Sequence, residues 1–386
     1  MKKILFIAHT ASMGGGAEKV LGVLIKELSQ CYLVDLIERV EDSVLPFKIP
    51  NGNVRHLPSL SFTDRKCQEL GNNVLCNRIW RILLSVWIFV LPRSVHRHFI
   101  KGSYDYEVSF NYLYCSSLVG NSPNRNSKKV MWIHGAIVDL LLPINAINSI
   151  RGKLKHWAER MMQKDAFSKS DVIVAISQRT HDSIADFCPE VKSKIVDVYN
   201  GYDLLNIDRF ARTFEYPNSR LFRLVSLGRV TYAKNVILQV EAVECLRKKG
   251  IDVELLIIGD GDQMDYIQSV SKHNPHIKLL GFKPNPYPYV LASDALIITS
   301  LSEGFPTIAV EAMALGKPVI STPVAGTNEL IDAQTGVLVD WSVESVAAGI
   351  EKMMTTKWDS RLIASSVSKY SKEAWAENVS NLLESL

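Results

Sequence analysis

Two carboxylates, Glu303 and Glu311, lie eight positions apart in a stretch whose pattern favours binding chemistry. The apolar run at residues 295–299 predicts a buried parallel strand, and residues 307–315 predict the helix that follows it. Glu303 would then lie on the loop beyond the strand, and Glu311 one turn inside the helix. Ligands of open α/β sheets bind beside the carboxyl ends of strands, so we expect both carboxylates to face a binding crevice. Each acid alone could equally complement the helix dipole or face solvent, but the pair spaced around Gly-Phe-Pro-Thr favours binding.

Two cations form a second candidate site. Arg229 and Lys234 lie five positions apart on the loop that leaves the predicted strand Phe222–Leu227, directly after Gly228. Arginine can bind phosphate oxygens through two parallel hydrogen bonds, and lysine supplies a point charge. Both side chains could therefore reach one diphosphate group. The alternative is a pair of surface cations at a turn, and the acidic pair elsewhere favours the phosphate interpretation.

Three glycines, at positions 14–16, follow the first predicted strand, Lys3–Ala8, and precede a predicted helix. Glycines in this position let a ligand approach the backbone and the helix N-terminus, which favours anions. The pattern is not the GxGxxG dinucleotide fingerprint, because Lys19 occupies the position of its third glycine. Glu38, at the end of the second predicted strand, keeps a dinucleotide site open as an alternative.

His134 ends the predicted strand at residues 129–134 and is followed by a glycine. A polar residue at a strand end in this architecture faces the ligand crevice, and a buried, hydrogen-bonded structural histidine is the alternative. The sequence contains neither a Ser-His-Asp order nor an HExxH motif, and its carboxylates do not assemble into a metal site. We therefore expect no metal and no bound cofactor.

The elements that would position these residues alternate between strand and helix in both halves of the chain. This alternation predicts parallel sheets covered by helices on both faces. At 386 residues the chain is also too long for one comfortable core. We expect an α/β protein with two Rossmann-like domains, at residues 1–203 and 204–368, whose sheets face each other across a cleft. Residues 369–386 are predicted to form a helix that packs back toward the first domain.

Composition is that of an ordinary globular protein, with 47% apolar and 22% charged residues. The six cysteines are scattered and include no CxxC pair. They argue against a zinc site or a disulfide framework and favour a reducing, cytoplasmic compartment.

The apolar run near the N-terminus is too short for a signal peptide and is interrupted by His9. Nucleic acid is not an expected partner, because no binding motif accompanies the basic residues.

Basic charge is concentrated in the first half of the chain, where residues 1–203 carry a net charge of +7 and the remainder −3. Within residues 78–101, five Lys and Arg residues and no acid flank an apolar run at residues 82–91. This run is about half as long as a membrane-spanning helix requires. We expect the segment to lie on an anionic membrane surface. A core helix of the first domain with solvated arginines is the alternative.

Together, Glu303-x7-Glu311, the Gly-Arg…Lys loop, Gly259-Asp-Gly261 and the N-terminal Gly-Gly-Gly-Ala-Glu resemble glycosyltransferase family 4 of the bacterial surface-polysaccharide type. The resemblance extends over nearly the whole chain and is most specific in residues 226–340. It implies the GT-B architecture, in which the first domain binds the acceptor and the second binds the nucleotide sugar. It also implies a retaining, metal-independent transferase that is peripheral on the cytoplasmic face of the inner membrane.

The resemblance implies a role for each candidate residue. Arg229 and Lys234 would neutralise the leaving diphosphate. Glu303 would hydrogen-bond the donor sugar, and Glu311 would accept hydrogen bonds from the ribose. His134 would lie near the reacting face of the sugar. The implied catalytic residues are His134, Arg229, Lys234 and Glu303. The implied donor site comprises Gly15, Gly16, Gly228, Arg229, Lys234, Gly281, Phe282, Glu303, Gly304, Phe305, Pro306, Thr307 and Glu311.

The expected reaction moves a hexose or N-acetylhexosamine from a nucleotide diphosphate sugar, with UDP favoured by the resemblance, to a hydroxyl of a lipid-linked glycan. Cleavage of the sugar–phosphate bond places negative charge on the diphosphate, which fixed cations and amide dipoles stabilise. We expect a front-face mechanism in which the leaving phosphate helps to deprotonate the acceptor hydroxyl. Two alternatives remain open: a nucleotide-sugar epimerase on the same architecture, and a non-catalytic nucleotide-sugar-binding scaffold.

Overall fold

The structure, a computed structural model, describes residues 1–8, 16–38, 54–56, 93–94, 96, 100, 102–141 and 149–386. The chain divides into two compact units. Unit 1 comprises Met1–Gly201 and Lys372–Leu386, and unit 2 comprises Tyr202–Ser371. The predicted fold class, α/β with parallel sheets in two Rossmann-like domains, is confirmed. Gly15 and most of the predicted membrane segment at residues 78–101 lie outside the described residues.

Unit 1 contains a seven-stranded sheet in which all neighbouring strands are parallel. Its strands are β1 (Lys3–Ala8), β2 (Leu33–Glu38), β3 (Val54–His56), β4 (Tyr106–Ser109), β5 (Lys128–Ile133), β6 (Val172–Ala175) and β7 (Ile195–Asp197). Their order across the sheet is β3-β2-β1-β4-β5-β6-β7. Short apolar runs form such strands because a parallel sheet is buried on both faces, and residues 4–8 of β1 are all buried. The sequence pattern does not predict β3, since three residues carry too little periodicity.

Helices connect the strands of unit 1. They are α1 (Gly16–Leu28), α2 (Tyr114–Gly120), α3 (Ile137–Leu140), α4 (Ile150–Ser168) and α5 (Gln178–Phe187). Two of them begin at serine N-caps: Ser149 Oγ accepts a hydrogen bond from the amide of Gly152 at 3.1 Å, and Ser177 Oγ accepts one from Thr180 at 3.2 Å. These bonds satisfy amides that have no partner within the helix, and so fix where each helix starts.

Unit 2 contains a six-stranded parallel sheet. Its strands are β8 (Phe222–Leu227), β9 (Val253–Ile258), β10 (Ile277–Gly281), β11 (Ala295–Ile298), β12 (Val319–Ser321) and β13 (Gly336–Leu338). Their order is β10-β9-β8-β11-β12-β13. Strands β9 and β10 therefore lie on one side of β8, and β11, β12 and β13 lie on its other side. This reversal opens a crevice at the carboxyl ends of β8 and β11.

The helices of unit 2 alternate with these strands. They are α6 (Leu204–Ala211), α7 (Val236–Lys248), α8 (Met264–Ser271), α9 (Tyr287–Leu291), α10 (Thr307–Ala314), α11 (Thr327–Leu330), α12 (Val343–Thr355) and α13 (Ser360–Ser366). A single turn of 3-10 helix, Tyr232–Lys234, precedes α7. The buried residues of α7 and α12 belong to one hydrophobic core together with those of β8, β9 and β11.

An ion cluster joins three neighbouring strands at the amino end of the sheet in unit 2, with Arg223 and Glu254 buried and Lys278 exposed. Glu254 of β9 pairs with Arg223 of β8 and with Lys278 of β10. Arg223 also donates to the carbonyl oxygens of Pro217 at 2.7 Å and Ala292 at 3.0 Å. Burial alone would raise the pKa of Glu254, but the hydrogen bonds from Lys278 and Arg223 outweigh it and lower that pKa below its ordinary value.

The last helix, α14 (Lys372–Glu384), belongs to unit 1 although all of unit 2 precedes it in the chain. Trp375 is buried there, edge-on to Trp132 at 6.0 Å between ring centroids. A Cβ atom at Gly201 would lie 2.5 Å from Trp375, so the tryptophan occupies the space that a side chain would need. At the other end of the helix, Glu384 accepts hydrogen bonds from Lys2 at 2.6 Å and from Tyr32 at 2.9 Å.

Candidate functional site

The candidate residues of unit 2 lie on loops at the carboxyl ends of β8 and β11. Gly228 and Arg229 directly follow β8, and Lys234 ends the 3-10 turn beyond them. Glu303 lies between β11 and α10. Gly228, Arg229 and Lys234 line a pocket, together with residues that follow β11. The structure thus places the predicted phosphate loop at the crevice that the strand order creates.

The loop after β8 is held in place by the loop after β9. The amide of Gly228 donates to the carbonyl of Ile258 at 3.0 Å, and the amide of Val230 donates to the carbonyl of Asp260 at 2.9 Å. Gly259 has a φ of +148°, and a Cβ atom there would lie 1.7 Å from the carbonyl oxygen of Gly228. Only glycine fits this position, because both the backbone angle and the space exclude a side chain. The Gly-Asp-Gly sequence therefore positions Arg229 from the neighbouring loop.

Lys234 and Glu303 form an ion pair between the two loops. Their side chains are 25% and 12% exposed, so the pair is partly shielded from water and still open on one side. The hydroxyl of Ser300 donates to the same Glu303 carboxylate oxygen at 2.6 Å. The carboxylate is therefore fixed by two donors, and the ammonium group is held at the pocket wall. This arrangement can present a positive charge to an anion without first ordering a flexible lysine.

The loop after β11 is itself braced by backbone and side-chain hydrogen bonds. The amide of Leu301 donates to the carbonyl of Ala233 at 2.8 Å, which joins this loop to the 3-10 turn. The carbonyl oxygen of Ser300 accepts from Trp341 Nε1 at 2.9 Å and from the Thr322 hydroxyl at 2.8 Å. Contacts from distant parts of unit 2 therefore fix the residue that orients Glu303.

Glu311 lies in α10 and is buried. It accepts a hydrogen bond from the Tyr287 hydroxyl of α9. Burial and the neighbouring negative charge of Glu311 raise the pKa of Tyr287 above its ordinary value, so the phenol remains protonated and able to donate. This carboxylate is oriented by a donor that the sequence did not reveal.

The segment from Gly304 to Thr307 leads into α10. The Phe305 ring is buried, 5.6 Å from the Tyr370 ring, and a Cβ atom at Gly326 would lie 2.5 Å from it. The ring is therefore part of the protein interior, and the backbone of this segment is what remains for a ligand. The first amides of α10 lie at a helix N-terminus, which favours anions.

Gly281 and Phe282 lie where β10 ends. The carbonyl of Gly281 accepts from the amide of Gly259 at 3.0 Å, so this turn is joined to the Gly-Asp-Gly loop. The Phe282 side chain is exposed. An exposed aromatic ring beside the pocket loops can stack on a planar ligand group.

His134 lies in unit 1, directly after β5. Its ring is 4.2 Å from the Phe110 ring and stacks in parallel with Trp132 at 6.5 Å. Both ring nitrogens are shielded from solvent, although the residue as a whole retains some exposure, and neither has a hydrogen-bond partner among the described residues. Burial lowers the pKa of His134 to about 3, so the imidazole is neutral. Gly16 begins α1 in the same unit, and Gly15 lies outside the described residues.

The sequence patterns miss several residues of the pocket and its supports. Ser300 and Tyr287 orient the two glutamates. Gln239 lines the pocket and donates to Thr299 at 3.0 Å, while its Oε1 has no hydrogen-bond partner within the described part of the chain. These residues have ordinary neighbours in sequence, so only their contacts across the fold indicate a role.

Metal binding and membrane crossing are two further roles that the described residues can be tested for. No group of three or more His, Cys, Asp or Glu side chains among them could hold a metal ion. None of the helices they form is long and apolar enough to cross a membrane.

Comparison with known proteins finds a family model that matches part of the second half of the chain. Residues 222–356 match the family model Glycosyl transferases group 1. The chain spans about half the length of the first curated relatives that it matches. It is 25% identical over 227 residues to the Staphylococcus aureus capsular polysaccharide biosynthesis glycosyltransferase CapM, covering 54% of this chain and 58% of that protein.

Other similarities extend over nearly the whole chain. The first is to the Campylobacter jejuni N-acetylgalactosamine-N,N'-diacetylbacillosaminyl-diphospho-undecaprenol 4-alpha-N-acetylgalactosaminyltransferase, at 29% identity over 362 residues, covering 92% of this chain and 90% of that protein. The second is to the crystal structure of Anabaena HepE in complex with UDP, with a TM-score of 0.70, 18% identity and complete coverage of both chains. At that identity the structural likeness concerns the fold alone.

Proposed function

We propose that this chain, whose residues 222–356 form a Glycosyl transferases group 1 domain, is a retaining hexosyltransferase of polysaccharide biosynthesis. It moves a hexose or N-acetylhexosamine from a nucleotide diphosphate sugar, with UDP as the nucleotide, to a hydroxyl of a lipid-linked glycan. The sequence resemblance to family 4 supports retention, and so does the alpha linkage named for the Campylobacter relative.

The observation that carries this proposal is the Lys234–Glu303 pair at the crevice between β8 and β11. A cation and a carboxylate that are both oriented before a ligand arrives suit a substrate with an anionic and a hydroxyl-rich part. Lys234 and the nearby Arg229 would bind the negatively charged diphosphate, and Glu303 would accept hydrogen bonds from sugar hydroxyls. Glu311 is matched to the ribose hydroxyls.

The chemistry follows from where charge develops. As the sugar–phosphate bond breaks, the diphosphate gains negative charge that Lys234, Arg229 and the first amides of α10 stabilise. The leaving phosphate then takes the proton of the attacking acceptor hydroxyl on the same face of the sugar. With two cations assigned to the diphosphate, the proposal includes a reaction that needs no added metal.

The proposed acceptor and place of action follow from the name of one relative. The printed name of the Campylobacter relative specifies an acceptor on diphospho-undecaprenol, which supports a lipid-linked glycan here. A lipid-linked acceptor would place the enzyme at the cytoplasmic face of a bacterial inner membrane. Residues 78–101 stay a predicted membrane contact.

Thermal unfolding with a panel of nucleotide sugars tests the donor site, using wild type and Glu311→Ala. A ligand at about 100 times its Kd stabilises the folded state by roughly 2.7 kcal/mol. We expect one UDP-sugar to raise the Tm of the wild type and to leave that of Glu311→Ala unchanged. No response to any nucleotide sugar would contradict the proposal and favour a non-catalytic scaffold.

The product distinguishes the mechanism. With the stabilising donor and a lipid-linked glycan, NMR of the new glycosidic linkage should show the anomeric configuration of the donor. An inverted product would overturn the retaining mechanism while leaving the donor site intact. Isomerised donor in the absence of any acceptor would instead indicate an epimerase.

A further inference from the structure

Helix α4 of unit 1 has one apolar face that packs inside the protein. Met162, Ala166 and Phe167 of this face are buried, and the last two belong to the hydrophobic core of unit 1. Gln163 is buried beside them and accepts the amide hydrogen bond of Leu113 at 2.6 Å. This face fixes the orientation of the helix on the unit.

A second apolar face of α4 is exposed. Four residues form it, and we refer to them as the α4 stripe: Ile150, Leu154, Trp157 and Met161, which are 89%, 66%, 54% and 51% exposed. Their spacing of four, three and four residues places them on one side of the helix, opposite the buried face. The α4 stripe is about 16 Å long at the rise of an α-helix. Isolated exposed apolar residues need no explanation, but a continuous row of them indicates a binding surface.

Positive charge flanks the α4 stripe. Residues 150–169 include six Lys and Arg and only two acids. Lys153 is exposed on one flank of the stripe. Arg160 and Lys164 lie over the Phe187 ring at 4.7 and 5.2 Å, which holds both cations on one flank of the helix. The apolar row therefore lies within a basic surface.

We propose that the α4 stripe is a docking surface for an anionic phospholipid bilayer, with α4 lying in the plane of the interface. The apolar side chains would enter the boundary between headgroups and acyl chains, and the flanking cations would contact lipid phosphates. Trp157 has the amphipathic ring that is enriched at that depth. The α4 stripe and residues 78–101 are different parts of the sequence, and this proposal does not depend on the proposed transferase activity.

Charge favours a bilayer over a second copy of the chain. In a two-fold symmetric dimer the same patch would occur on both partners, so the basic flanks of one copy would approach those of the other. Like charges brought together in this way oppose association. An anionic lipid surface removes that conflict and gains from the same cations.

Vesicle flotation tests the proposal, with phosphatidylcholine vesicles that contain phosphatidylglycerol at about 30 mol% and with pure phosphatidylcholine vesicles. The test variant is Leu154→Ser/Trp157→Ser/Met161→Ser, and the matched control, with exposed apolar residues of unit 2, is Leu205→Ser/Met354→Ser. We expect the test variant to bind the anionic vesicles about a hundredfold more weakly than wild type. The control should bind like wild type, and both variants should keep the wild-type Tm because the residues are exposed.

The charges supply an independent measurement. Lys153→Gln/Lys164→Gln should weaken binding to the anionic vesicles about tenfold and reduce its salt dependence. Binding of the stripe variant within about twofold of wild type would overturn the proposal, and so would equal binding of wild type to both vesicle types. Sedimentation velocity tests whether the stripe binds a second copy of the chain. If wild type is a dimer and the stripe variant is a monomer, the surface joins two copies and the bilayer proposal is wrong.

Discussion

The two ends of the parallel sheet in unit 2 each carry a lysine or arginine paired with a glutamate, but the two pairs differ in what surrounds them. At the amino end, Arg223 and Glu254 are almost fully buried, and Arg223 also donates to two carbonyl oxygens. At the carboxyl end, Lys234 and Glu303 are partly exposed beside a pocket. The first cluster has its hydrogen-bonding groups engaged within the protein, whereas the second keeps one side open.

The difference in exposure assigns the two ends of the sheet different roles: folding stability at the amino end and ligand binding at the carboxyl end. A buried charge whose partner is removed is left without compensation, so the amino-end cluster should control folding. A pair that is partly exposed to water contributes less to folding than a buried one, because water and salt screen it. The carboxyl-end pair is therefore free to serve a ligand. Each prediction below tests whether the two ends can be separated in this way.

The largest expected effect is at the carboxyl end. Lys234→Met should lower transferase activity about a thousandfold, or about 4 kcal/mol, because it removes a preorganised cation from the developing diphosphate charge. Its free energy of unfolding should stay within about 1 kcal/mol of wild type. Lys249→Met, which breaks the exposed pair with Glu351, is the matched control and should change neither quantity. Activity within about tenfold of wild type would remove Lys234 from the catalytic site.

At the amino end, Arg223→Met should lower the free energy of unfolding by about 3 kcal/mol, because Glu254 remains buried with one partner fewer. Activity per folded molecule should be unchanged. Chemical denaturation and a donor-saturated assay measure the two quantities. Arg247→Met, which breaks the exposed pair with Glu244, is the control and should cost less than about 1 kcal/mol. A loss of activity without a loss of stability would contradict the division of roles.

The same cluster predicts a dependence of stability on pH. The pKa of Glu254 is lowered in the folded state. Its contribution to stability is therefore complete above its unfolded pKa of about 4.3 and is lost as the pH falls through the lower, folded value. The wild type should lose more stability than Arg223→Met on acidification below about pH 4.

A medium effect is expected where one loop positions another. Gly259→Ala would force the carbonyl of Gly228 away, and with it Arg229, so activity should fall about a hundredfold, or about 2.7 kcal/mol. Gly250→Ala is the matched control, because Gly250 also has a positive φ of +78° but open space around its Cβ position. The control should lose about 1 kcal/mol of stability from backbone strain and keep its activity. Equal activity losses in both variants would mean that strain, and not the contact with Gly228, is responsible.

The smallest effect concerns the orientation of Glu311. Tyr287→Phe removes the hydroxyl that donates to this carboxylate, so the Kd for the donor should rise about fivefold, or about 1 kcal/mol. Calorimetric titration with the stabilising UDP-sugar measures it, and Tyr266→Phe at an exposed tyrosine of unit 2 is the control. Tighter binding in Tyr287→Phe would show that the phenol competes with the ribose for the carboxylate.

The sequence predicts the strands and helices of unit 2 well because their signals are local. The predicted and observed bounds coincide for β8, at Phe222–Leu227. Apolar runs of four to six residues bounded by glycine identify buried strands, and a periodic run identifies a helix. The three-residue strand β3 shows the limit of such patterns.

The residues of the candidate site also divide into those that local sequence spacing predicts and those that only the fold reveals. Glu303, Glu311, Arg229 and Lys234 are visible from their spacing, and the structure places all four on one unit beside the ends of β8 and β11. Their supports come from distant parts of the chain. Trp341 reaches the Ser300 carbonyl from 41 residues away, and no local pattern contains that contact.

His134 shows why a polar residue at a strand end can be interpreted in two ways. Its position after β5 is as predicted, but its ring lies among Phe110 and Trp132 with no hydrogen bond from the described residues. The sequence fixes neither the neighbours of the ring nor its neutral state, since both arise from β4 and β5 lying side by side. Its role in the reaction stays a prediction.

The placement of α14 in unit 1 has a consequence for how the protein is made. A ribosome releases the strands of unit 1 first, yet Trp375 and Glu384 emerge only after all of unit 2 has been synthesised. Until then the space beside Gly201 and Trp132 lacks its tryptophan, and the hydroxyl of Tyr32 lacks its carboxylate. Domains generally fold as units during synthesis, and the N-terminal one usually folds first. Here the inserted unit 2 can complete its own core during translation, while the unit that began first is finished last.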